Sequence, residues 1–345
     1  MEEQEAKFAL VMSGNDSVAP DELTTFDLGA IVIIDAMSLP LVLLVIVFDL
    51  LLIAASIVDS RSVTVRSIRL ILVNILVASV VGATGSVLRH GFQVSTLLDS
   101  SIARYLPNAC KVYLPVISIG GTGRMLMDAL YAFTVFIVVR CWYKPVLAPR
   151  NTKYFIITAV IVWILIILLS APFFVLSINL LCDAAATGNN TSTATYATLI
   201  PNIFIFGFPI IFTLLILVIT VCFIKRRTIT ETTAARKALL KFGFFLLIGQ
   251  GINAIGQMVS PAVFIALSSN SYRPLVVTMI TAIFDLSLIP APILIYIFFK
   301  PVQLILRKWF CRCCARCSVE VTVSTQGTTH AAHTANNFKK LTDNN

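Results

Sequence analysis

Charge is what this sequence has least of. Asp, Glu, Lys and Arg make up 12% of its 345 residues, against 58% hydrophobic residues and a mean hydropathy of +0.91. A soluble domain carries about 25% charged residues, so a water-facing surface of ordinary composition is excluded. Catalytic signatures are absent as well: there is no Walker loop and no His-Glu-x-x-His, and the three histidines, His90, His330 and His333, read as loop or tail residues. The sequence therefore predicts neither an enzyme nor a cofactor. The net charge of +9 is scattered over short segments, which fits topology signals and contacts with anionic lipid or a cytosolic partner, not nucleic acid.

What the sequence does have is seven long apolar stretches: Ala30–Val58, Ser67–Leu88, Val112–Val139, Tyr154–Leu176, Ala197–Ile224, Phe242–Leu267 and Leu275–Phe299. Each reaches the roughly 20 residues that a helix needs to cross about 30 Å of hydrocarbon. The joining segments alternate in charge. Asp59–Arg66, Arg140–Lys153, Lys225–Lys241 and Lys300–Asn345, with Arg69 at a span end, hold 20 of the 26 Lys and Arg. Met1–Gly29, Arg89–Lys111, Ser177–Tyr196 and Ser268–Pro274 hold 5, and Arg124 lies inside a span. Basic segments stay cytoplasmic, so the N-terminus is expected outside and the C-terminus inside. The first 29 residues carry seven acids and one Lys, with no basic region ahead of an apolar core. The first span is accordingly expected to direct insertion without a cleaved signal peptide.

The expected fold is an all-α membrane protein, a seven-transmembrane helix bundle with a short interfacial C-terminal helix. Its divisions are an extracellular segment 1–29, a bundle 30–299, an amphipathic helix 300–317 and a cytoplasmic tail 318–345 that reads as disordered. One bundle leaves no room for a second folded domain. Glycosylation sequons begin at Asn15, Asn189 and Asn190, all in segments the charge count puts outside.

The cysteines sort by compartment. Cys110 and Cys182 are the two placed on the oxidising side, where a disulfide between them is the obvious pairing and two free thiols the alternative. Cys141 and Cys222 sit at cytoplasmic span ends and read as packing residues. Cys311, Cys313, Cys314 and Cys317 follow the seventh span, where Val302, Ile305, Leu306, Trp309 and Phe310 can share one face of a helix with basic residues interleaved. That pattern fits a helix in the inner-leaflet interface with cysteines placed for palmitoylation; a zinc site is the competing reading.

Four charges fall inside spans: Asp49, Arg124, Asp128 and Asp285. Each costs about 2.5–3.5 kcal/mol or more to insert unpaired, so they are expected to face the bundle interior. Arg124 and Asp128, spaced i,i+4, share a face and can pair directly, with Asp285 a second candidate partner. Asp49 is expected near Ser79 or Asn74, and Asp35 near the outer interface. A structural ionic cluster, contact with a polar ligand, and a proton or ion pathway are all open readings of these charges. Gly120, Gly121 and Gly123 would let a neighbouring helix approach closely. Prolines such as Pro40, Pro115, Pro209, Pro290 and Pro292 can kink spans. Phe204, Phe206 and Phe208 recur every two residues and so cannot line one helical face.

Over about residues 30–317 the chain resembles a rhodopsin-like G-protein-coupled receptor. Asn74 within Leu72–Ser79, Trp163, the stretch Arg140–Leu147 with its Pro145, and Pro292–Tyr296 running into Phe298-Phe299-Lys300-Pro301 carry the resemblance. Departures accompany it. The family's Asp-Arg-Tyr falls where this chain has Ile137-Val138-Val139, with Arg140 displaced. Its sodium-site Asp is Ser79, its Asn-Pro-x-x-Tyr becomes Ala291–Tyr296, and Gly249–Asn253 replaces Cys-Trp-x-Pro. Short loops favour a small ligand, and a divergent chemosensory branch, similar to fish odorant receptors, fits best. The resemblance implies an extracellular small-molecule ligand, for which the buried charges Arg124, Asp128 and Asp285 are the candidate contacts. It also implies a heterotrimeric G protein at the cytoplasmic face, met by Arg140, Lys225, Arg226 and Arg227, and a plasma-membrane location. A seven-pass transporter or ion-translocating protein, or a receptor of the same family with another ligand and altered coupling, is the alternative.

Overall fold

A computed structural model describes residues 25–58, 66–98, 106–141, 152–177, 192–226, 240–255 and 273–311. Every described segment is helical, with no strand among the described residues. In chain order the helices are α1 (Thr25–Val58), α2 (Arg66–Leu98), α3 (Leu106–Cys141), α4 (Thr152–Ser177), α5 (Ser192–Arg226), α6 (Leu240–Ile255), α7 (Arg273–Leu288), α8 (Pro290–Phe298) and α9 (Lys300–Cys311). Within α1, α2 and α5, the stretches Ala30–Val58, Ile68–Ser95 and Ile205–Phe223 are long and apolar enough to cross a membrane. A fourth is added if Ala282–Phe298 and Val302–Phe310, bent by 94°, count as one.

The distribution of side chains is inverted relative to a water-soluble protein. Arg124, Asp35, Asp49, Asp128, His90 and Asp285 are buried, while Met37, Leu44, Ile161, Leu168 and Ile211 stand exposed. α4 shows why. It is apolar all round and, over residues 156–169, turns most of its side chains outward, an arrangement that hydrocarbon tolerates and water does not.

Small residues set the closest packing. α2 and α3 share the most extensive helix contact, and a side-chain carbon on Gly120 would overlap the backbone of Gly82. One on Gly85 would come within 2.6 Å of Ile117 Cγ1. The glycine run expected to admit a neighbouring helix does so at Gly120. The largest apolar cluster joins Leu52, Ile71, Ile75, Leu76, Tyr131, Ile166, Phe242 and Ile295. At its hub the Phe242 ring meets Tyr131 edge-on at 5.1 Å, Phe299 at 5.3 Å and Phe298 at 6.0 Å.

Pro40 and Pro115 lie inside unbroken helices, whereas Pro290 coincides with a break. Lacking an N–H, Pro290 cannot donate to the Leu286 carbonyl four residues back. Ile289 N donates there instead, at 3.3 Å, which closes α7 and lets α8 start with Pro at its first position. α8 ends at Phe299, whose carbonyl accepts from Val302 N at 3.0 Å and Gln303 N at 3.2 Å, and there the chain turns into α9. α9 packs against α1, with Val302 and Leu306 buried and Ile305 and Trp309 half-buried on the core. Phe310, grouped with them on sequence, departs from that face and is 65% exposed. It is one residue past Trp309, and that step turns a side chain about 100° around a helix.

Candidate functional site

The polar interior starts at His90. The sequence reading ended the second span at Leu88 and put this histidine in a loop. α2 instead continues to Leu98, and the imidazole is fully buried. Its Nδ1 lies 2.9 Å from Asp35 Oδ1 of α1, and its Nε2 lies 2.7 Å from Asp285 Oδ2 of α7. Asp35, expected near the outer interface, is 1% exposed with its carboxylate against His90. One further expectation is corrected here. Asp285 partners His90 and not Arg124.

Arg124, buried on α3, donates from Nη1 to the Ser287 backbone carbonyl, next to the helix break before Pro290. Arg124 and Asp128 occupy one face of α3, but the expected ion pair does not close. Both Asp128 carboxylate oxygens are buried without a hydrogen-bond partner, as is Arg124 Nε. The guanidinium points between helices and interacts electrostatically with Asp128 and, across to α1, with Asp49. Asp49 lies beside Ser79 of α2 as the sequence suggested, and both are fully buried. Asn74 is elsewhere engaged, accepting from Trp163 Nε1 at 2.8 Å. Thus two residues that carried the family resemblance join α2 to α4.

α6 closes the interior with residues whose part was not foreseen. Gln250 donates from Nε2 to the Met125 carbonyl at 3.0 Å, and Asn253, one turn on, is buried with both amide atoms unpartnered. Gly249 makes room for the guanidinium, since a side-chain carbon there would sit 3.3 Å from Arg124 Nη2. The available signal was Gly249-Gln250-Gly251-Ile252-Asn253 in an otherwise apolar run, polar groups flanked by residues small enough to admit a partner. The phenylalanines of α5 divide as their spacing requires. Phe206 is buried with Met125 and Ala254, whereas Phe208 is exposed and stacks on Phe212.

The remaining predicted positions are quickly placed. Cys110, in the second turn of α3, is half-buried and disulfide-bonded. Cys182, Asn15, Asn189, Asn190, Arg227, Cys313, Cys314 and Cys317 lie outside the described residues. Arg140 falls in the last turn of α3, Lys225 and Arg226 in the last turn of α5, and Cys311 ends α9. Cys222, read as a packing residue, is exposed with a free thiol. No group of His, Cys, Asp and Glu among the described residues is arranged to hold a metal ion. No protein-family model matches the chain, and no curated protein matches it significantly in sequence.

What this interior can do follows from its chemistry. It holds four carboxylates, an imidazole, a guanidinium and two carboxamides away from water, with several acceptor and donor atoms left over. Such an arrangement can bind a polar ligand, or change its proton content with a change in helix position.

Proposed function

We propose that the chain is a seven-span plasma-membrane receptor of the rhodopsin-like type, with its N-terminus outside. In this reading it senses an extracellular small molecule, of the odorant or chemosensory kind, and signals through a heterotrimeric G protein. The observation that carries the reading is the C-terminal end of the described residues. Apolar Ala282–Phe298 turns by 94° into a short amphipathic helix that rests its apolar face on α1. A helix of this kind suits an interfacial platform beneath a bundle, with the cysteines from Cys311 to Cys317 acylated into the inner leaflet. The seven apolar stretches and the alternation of basic segments add support, as does the Asn74–Trp163 bond.

The ligand would enter from outside and reach the interior lined by Arg124, Asp128 and Asp285. Its binding energy would be realised through helix positions that differ between resting and signalling states. Arg140, Lys225, Arg226 and Arg227 would meet the G protein or the anionic lipid beside it. Cys182 is assigned as the partner of Cys110.

The test is expression in cells carrying a second-messenger reporter, challenged with a small-molecule panel. An agonist-dependent, G-protein-dependent response supports the receptor. Solute or ion flux across reconstituted vesicles without any such response would assign the buried charges to transport instead.

A further inference from the structure

We propose that His90, Asp35 and Asp285 form a proton-binding site that ties α1, α2 and α7 together, holding its proton as an imidazolium that donates to both carboxylates. A neutral imidazole has one N–H and one lone pair, and an ionised carboxylate can only accept. With Nδ1 at 2.9 Å from Asp35 Oδ1 and Nε2 at 2.7 Å from Asp285 Oδ2, a neutral ring between two ionised carboxylates would satisfy one contact. In the other it would press a nitrogen lone pair against an oxygen lone pair. Two contacts at hydrogen-bonding length need two donated hydrogens.

A second observation points the same way. The other oxygen of each acid, Asp35 Oδ2 and Asp285 Oδ1, is buried with no hydrogen-bond partner. Two carboxylates in that position carry uncompensated charge, and the added proton on the ring between them offsets part of it. The charged neighbours are of both signs. Asp35 faces the ring from α1 and Asp285 from α7, and both favour its positive charge; Arg89, the preceding residue of α2, opposes it, and Tyr113 of α3 stands near Arg89. The site does not depend on the receptor reading; it stands on these contacts alone.

The functional content is a proton-operated tie. Raising the pH transfers one ring proton to water, its bonding pair staying on the nitrogen. One of the two links is lost, and α1 or α7 is held less tightly against α2 at this point. Lowering the pH restores it. The protonated state carries the extra bond, so stability is present at the acid side and falls as pH rises, with the slope of one proton.

An isosteric variant isolates the effect. In Asp35→Asn the carboxamide donates from Nδ2 to the Nδ1 lone pair, while Nε2–H donates to Asp285. Both contacts then survive on a neutral ring. Full-length protein in detergent or nanodiscs is therefore expected to lose thermal stability as pH rises through the neutral range, while Asp35→Asn stays flat there. Parallel pH profiles for the two would overturn the proposal. A second measurement covers the case in which the variant does not fold. His330→Gln with His333→Gln leaves His90 the one histidine in the chain, so nitrogen-15 histidine labelling reports that ring alone. Two protonated ring nitrogens at mildly acidic pH, giving way to one at alkaline pH, support the site. A neutral ring throughout overturns it.

Discussion

Arg124 and its two acids set the balance of charge in the middle of the molecule. One guanidinium interacts with Asp49 and Asp128, so the set carries one negative charge more than positive when all are ionised. Removing one acid leaves a balanced pair, whereas removing both strands a buried cation. Asp128→Asn is thus expected to unfold near wild type. Asp49→Asn with Asp128→Asn should lose about 3–5 kcal/mol, the cost typical of breaking a buried pair from one side. Unfolding of the purified variants measures this, and equal midpoints for the single and double variants would mean that Arg124 is balanced elsewhere. A smaller effect belongs to Trp163→Phe, which deletes the donor to Asn74 and should cost about 0.5–1.5 kcal/mol. The same change in an Asn74→Ala background should cost clearly less, as a double-mutant cycle reads. At this scale the sequence was legible where chemistry is local to one helix. That Arg124, Asp128 and Asp49 point inward followed from the price of charge in hydrocarbon. Which acid meets which base depends on how helices far apart in sequence are rotated against one another. Spacing carries no record of that rotation, and so Asp285 was matched to Arg124 while His90 was overlooked.

The helical, apolar character of the described segments was legible from their apolar runs, and their ends were not. α2 runs ten residues beyond Leu88 because nothing in Arg89–Leu98 breaks a helix, although its polarity had suggested a loop. That extension is what brings His90 inside. The contact of α2 with α3 is testable through its glycines. Gly120→Ala forces a carbon into the Gly82 backbone, which has no flexible end to yield, whereas Gly91 has nothing within 4 Å. Gly120→Ala should sharply reduce the folded fraction recovered from membranes, and Gly91→Ala should leave it unchanged or raise it. Comparable recovery of both would show that the two backbones are further apart. α9 allows a second test. Val302 and Leu306 hold it to the core, so Val302→Asp with Leu306→Asp should release it and shift Trp309 emission to the red. Leu304→Asp, on the exposed side, should not.

For the molecule as a whole, polar residues inside and apolar residues outside make the hydrocarbon of a bilayer the fitting solvent. Under the receptor reading, the cytoplasmic ends of α3 and α5 present Arg140, Lys225 and Arg226 to a partner. Neutralising Lys225, Arg226 and Arg227 together is expected to cut agonist-dependent signalling several-fold while radioligand binding is kept. An unchanged response would move the G-protein contact away from the end of α5.

The meeting of Gly82 with Gly120 also has a mechanical meaning. Where two backbones touch with no side chains between them, neither helix can slide or roll without collision, so α2 and α3 travel as one rigid slab. Movement must then be carried by parts that meet the slab through longer, rotatable groups. The joint at Ile289 and Pro290 is the natural pivot, and the Ser287 carbonyl held by Arg124 lies directly beside it. A tilt of α8 and α9 about that pivot would tug on the guanidinium and, through it, on the slab. In such a tilt the seventh helix would act as a crank handle, with Arg124 the pin that couples it to the slab.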